Sequence, residues 1–137
     1  MLNPRNKKRG FIQRRAVAAV ELAVCLPVIV LLALGSMEAA SMIFLRQALV
    51  QSAYETVKEA ASAQGSEALA LTRGQEVLAF RDIQDETVTI NPAGTEDLER
   101  GTEITVTVSA PGDTNSIFPF GPFRNREVSV SATMFKE

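Results

Sequence analysis

Residues 16–37 read AVAAVELAVCLPVIVLLALGSM, and Glu21 is the only charge among them. No other stretch constrains the chain so strongly. As a helix it covers about 33 Å, close to the ~30 Å hydrocarbon core of a bilayer. Pro27 would break a helix in water, but a membrane span tolerates it because neighbouring groups satisfy the freed carbonyl. Upstream, Arg5, Lys7, Lys8, Arg9, Arg14 and Arg15 place six positive charges before the first acidic residue, Glu21. Basic residues beside an apolar span stay on the cytoplasmic side, so the N-terminus is expected in the cytoplasm and residues 38–137 outside it. The expectation is a single-pass membrane protein. A buried core helix of a soluble protein is the competing reading.

The rest of the composition removes chemistry. The chain has no His, no Trp and one Cys among 137 residues. An internal disulfide, a His/Cys metal site, and Ser-His-Asp or Cys-His catalysis all lack a necessary member. No catalytic, cofactor-binding or metal-binding residue is therefore expected, and the chain reads as a non-enzyme. Its net charge of −2 is uneven: beyond the basic N-terminal segment, eight basic residues face all sixteen acidic ones. An acidic domain on the far side of a membrane is a poor partner for nucleic acid, and none is expected.

Three secretion patterns compete for the apolar run. A Sec signal peptide would be cut at a small-x-small site, for which Ala33-Leu34-Gly35 is available, but Glu21 interrupts its apolar region. A lipoprotein signal needs a small residue before Cys25, where Val24 stands, so Cys25 reads as a small apolar residue. The third is a prepilin-type signal: a basic leader, a small residue, and an apolar helix with Glu at its fifth position. Counting back from Glu21 puts the cut between Ala16 and Val17.

The region 14–60 carries Arg14-Arg15, Val20-Glu21-Leu22, Leu26-Pro27, Glu38 and Arg46-Gln47-Ala48. In this combination it resembles the TadE-like family of pseudopilins from tight-adherence (Tad/Flp) pilus systems. Ala16 stands where the family usually has Gly, and Leu22 where it usually has an aromatic. The resemblance implies a pilin-like fold and a bacterial inner-membrane location. It also implies partners: membrane lipid, other pilins or pseudopilins, pilus assembly proteins and a prepilin peptidase. Glu21 then acquires a role. A carboxylate near hydrocarbon costs about 2.5–3.5 kcal/mol on insertion scales, and in pilins such a Glu pairs with the α-amine that cleavage exposes on a neighbouring subunit, here at Val17. The bland alternative is Glu21 among headgroups with no specific partner.

Beyond the span the helical pattern continues. Met42, Leu45, Leu49, Ala53, Val57 and Ala60 recur at spacings of three and four, with Glu38, Arg46, Gln51, Glu55 and Glu59 mainly off that stripe. A helix over 38–64 is expected, C-capped by Gly65, then a second over 66–80 opened by Ser66. Gly74 weakens the middle of the second helix. The period then changes to two near 86–90, 103–109 and 127–135, where Val and Ile alternate with Thr and Ser. The expected fold is α+β: a long N-terminal helix with its first half in the membrane, a short second helix and a three-stranded antiparallel sheet.

Phe118, Phe120 and Phe123 lie between the last two strands, among Pro119, Gly121 and Pro122. They read either as a plug for the core or as a partner loop. The acidic groups Asp82/Asp85/Glu86 and Glu96/Asp97/Glu99 lack a calcium-loop pattern and read as solvated loops. The whole divides into a basic leader (1–16), a transmembrane helix (17–37) and an extracytoplasmic pilin-like domain (38–137). The expected role is that of a minor pilin or pseudopilin in pilus or secretion assembly. The alternative is an uncleaved single-pass anchor that never enters a filament.

Overall fold

A single helix, α1, runs from Pro4–Ala61 through Pro27 and is followed by everything else that folds. The computed structural model describes residues 4–117 and 125–137, with side chains from residue 16 onward. It falls into two compact units, Met1–Met37 and Glu38–Glu137. In the first, every described side chain from residue 16 to 37 is exposed, including Leu31 and Leu32 at 69% and 70%. Side chains this apolar, turned outward on all sides of a helix, suit lipid and not water.

The second unit closes a core. Leu45, Ala48, Leu49, Ala53, Val57 and Ala60 of α1 are buried, each at 0–1% exposure. Helix α2, Glu67–Phe80, opens on Ser66, whose Oγ accepts the Leu69 N–H at 3.3 Å. Three strands follow, β1 (Thr87–Asn91), β2 (Glu103–Pro111) and β3 (Glu127–Phe135), antiparallel in the order β1-β2-β3. The register pairs Val88 with Val108 and Val108 with Val130, so the apolar alternation of all three strands falls on one face. Ile104, Val106, Val108 and Ala110 of the central strand are buried in the same cluster as the α1 stripe. The opposite face is a hydroxyl ladder, with Thr105–Thr133 at 3.0 Å and Thr107–Ser131 at 2.9 Å.

Two glycines are set by close approach. Gly74 sits where α2 crosses α1: its carbonyl accepts the Ser52 hydroxyl at 2.9 Å, and a Cβ there would collide with the Thr56 hydroxyl. What weakens α2 by propensity is what lets the two helices touch. α1 ends at Ala61, three residues short of the expectation, and Gly65 is not a left-handed cap. It lies against the Glu59 carbonyl, which a Cβ would overlap.

The end of α1 is capped from far along the chain. Lys136, only 6% exposed, donates from Nζ to the carbonyls of Ala60 at 3.1 Å and Ser62 at 2.8 Å. The Glu137 N–H also donates to the Ala61 carbonyl at 2.9 Å. A cation on the orphan carbonyls of a helix C-terminus satisfies them and complements the dipole.

Candidate functional site

Ala16, Val17 and Glu21 all lie on α1, and their side chains are exposed. Val17 and Glu21 are four residues apart, one turn on the same helix face. Phe118, Phe120 and Phe123 lie outside the described residues. Glu38, expected off the buried stripe, is 3% exposed and begins the second unit; its carbonyl accepts the Ser41 hydroxyl at 2.8 Å.

The chief surprise on α1 is a second apolar stripe. Ile43, Val50 and Tyr54 are exposed at 59%, 47% and 49%, and with Gln47 they follow one another at spacings of four, three and four. The signal was present in the residues, since 43, 47, 50 and 54 make one helical face. The stronger Leu and Ala stripe on the other side masked it. Neither the sheet nor α2 covers this face, whose shallow pocket is lined by α1 residues alone.

Unlike features flank this stripe. On one side a groove of about 550 Å³ lies between α1 and β3, floored by Met42, Ile43 and Val128 and edged by Arg46, Arg126 and Glu127. On the other, Arg81 stacks on Phe44 at 5.4 Å and its guanidinium reaches the Gln51 amide oxygen at 2.5 Å. Beside Arg81, Phe80 projects at 91% exposure. The loop that follows holds Asp82 and Asp85 in left-handed backbone, at φ 55° each, a conformation that Asp tolerates better than most residues. Asn115 pins it: Oδ1 accepts the Gln84 N–H at 2.8 Å, and the amide donates to the carbonyls of Gln84 and Pro111 at 3.0 and 2.8 Å.

A reciprocal contact closes the far end of α2. The Glu67 N–H donates to Glu96 Oε2 at 3.2 Å, and the Gly94 N–H donates to Glu67 Oε2. Glu96 is held below its ordinary pKa by its own backbone N–H and then by that of Glu67. Among the described residues no group of three His, Cys, Asp or Glu side chains is placed to hold a metal ion.

The architecture defines a class: one exposed helix long and apolar enough to cross a membrane, carrying an α+β domain whose own part of that helix is half covered. Within it, residues 16–58 match the family model for TadE-like protein, the family that the motifs of this segment resemble. The match runs from the proposed cleavage position through the apolar run and the Ile43–Tyr54 stripe. No curated protein and no solved structure matches the chain. The family match over residues 16–58 and the apolar helix fit a membrane-associated, Tad-related pilin-like protein.

Proposed function

We propose that the chain is a minor pilin or pseudopilin of a Tad/Flp-type pilus or related secretion apparatus. It is anchored in the bacterial inner membrane, with its N-terminus in the cytoplasm, and acts by lateral packing of helices and not by catalysis. The observation that carries this reading is where the family match falls. It covers the stretch of α1 that is exposed and apolar, first as a span and then as the Ile43–Tyr54 stripe. An apolar helix face left open in a folded domain suits a neighbouring helix.

In this reading a prepilin peptidase cuts between Ala16 and Val17, and Glu21 takes the freed α-amine of Val17 on an adjacent subunit. The pairing offsets the cost of a carboxylate in the bundle only when subunits are in register. Intact mass of the membrane-extracted protein tests the cut: loss of residues 1–16 supports it. The second reading, an uncleaved anchor, requires the full-length mass. Glu21→Gln keeps size and removes charge. The pilin reading expects normal insertion and a folded external domain, but weak crosslinking to partner pilins; wild-type crosslinking would leave Glu21 without an assembly role.

A further inference from the structure

The two flanks of the open α1 stripe are complementary, and we propose that they bind each other between copies: Phe80 and the Asp82/Asp85 loop of one chain dock into the Arg46/Arg126 groove of the next. The idea rests on the membrane-anchored assembly reading and names one of its partners, a second copy of this chain.

Three observations carry it. First, Phe80 is a nearly naked aromatic at 91% exposure, and the groove offers an apolar floor in Met42, Ile43 and Val128. Burying an aromatic in such a floor removes a large apolar area from water. Second, the charges match. The groove sets Arg46 and Arg126 against one carboxylate, Glu127, while the loop carries Asp82, Asp85 and Glu86. Arg81, which precedes the loop, is already held by Phe44 and Gln51. Asp82, exposed, accepts a hydrogen bond from the Gln84 side-chain amide at 3.1 Å. Third, knob and groove lie at one level of α1: residues 42–46 line the groove, and Phe44 within that turn carries Arg81, next to Phe80.

Different surfaces meet in this contact, so it is heterologous. Such a contact does not close on two copies but propagates into rings or helical arrays. Lipid headgroups are a less fitting occupant, because Glu127 and the acidic loop share that end of the domain.

The test uses the full chain in neutral phosphatidylcholine vesicles, with donor and acceptor dyes on separate copies at Cys25, the only cysteine and an exposed one. Wild-type energy transfer is expected well above that of random mixing, and Phe80→Ala should lower it. The paired reversals Asp82→Arg/Asp85→Arg and Arg46→Glu/Arg126→Glu should each fall to random mixing alone, and recover when the two variants are mixed. All these positions are on the surface, and circular dichroism checks that each variant folds. Asp82→Asn/Asp85→Asn, which suits the left-handed backbone there, should also lower the transfer, and wild-type transfer in it would overturn the proposal. Random transfer in the wild type, or reversals without effect, would overturn the proposal. Loss without rescue on mixing would also overturn it, and a wild-type signal that needs phosphatidylglycerol would assign the arginines to lipid. Quenching of the Cys25 dye by brominated acyl chains separates the two readings. Without quenching, the membrane anchor fails. With quenching but random transfer, only the contact between copies fails.

Discussion

The two units use the same kinds of residue to opposite ends. Along residues 16–37, Val, Leu and Ile are exposed throughout; further along the same helix, Leu45, Leu49 and Val57 sink to 0–1% exposure while Val50 stays on the open face. The difference is one of solvent. The first stretch suits an apolar environment that needs no fold, whereas the second builds its own from a sheet and a second helix. Truncation of an apolar side chain should therefore mean different things in each.

The sharpest way to break that comparison is a matched pair of substitutions. Leu49→Ala should destabilise the second unit by about 2–5 kcal/mol, the usual range for a buried leucine. Leu31→Ala, at 69% exposure, should leave that unit's urea midpoint unchanged. Equal losses would mean that residue 31 belongs to the same core. Next in size is Gly74→Ala. Its Cβ would collide with the Thr56 hydroxyl, and overpacking of this kind costs about 1–3 kcal/mol. Adding Thr56→Ala should recover part of that loss in a double-mutant cycle; strictly additive losses would remove the helix crossing as the cause.

Lys136→Met, which keeps the apolar stem, should cost about 1.5–3 kcal/mol, because the Ala60 and Ser62 carbonyls lose a charged donor. Unchanged thermal unfolding would show that water replaces Nζ fully. The smallest effect is that of Glu96. Its folded pKa lies below the ordinary 4.5, so its contribution is present above that value and fades as pH falls through the folded one. Wild type should lose stability over that acid window slightly more than Glu96→Gln does. Identical pH profiles would mean that the Glu67 N–H contact does not favour the ionised form.

The class of fold was readable from the residues because each cue is local. Twenty-two nearly uncharged residues make a span, Ser66 before an acidic first turn opens a helix, and alternating Val and Thr make strands with one covered face. The proposed assembly surface is only partly legible in the residues. Glu21 and the Ala16–Val17 bond stand out by spacing alone, whereas Ile43, Val50 and Tyr54 carry no cue of their own beside the stronger Leu and Ala stripe. Whether an apolar residue ends in the core or on an open face depends on how much of the helix the sheet and α2 cover. Spacing along one helix does not contain that quantity.

By itself the sequence determined the apolar helix, the change from a period near 3.6 to a period of two, and the charge imbalance, all properties of consecutive residues. Only the tertiary structure decided the roles of Gly74, Lys136, Glu38 and Phe80. Gly74 meets Ser52 from 22 residues away, and Lys136 caps a helix end 76 residues before it. Glu38 is buried and Phe80 bare against what charge and hydropathy alone would favour. The physical reason is common to all four: burial and partnership are set by which surfaces meet, and surfaces meet only after the chain has folded back on itself.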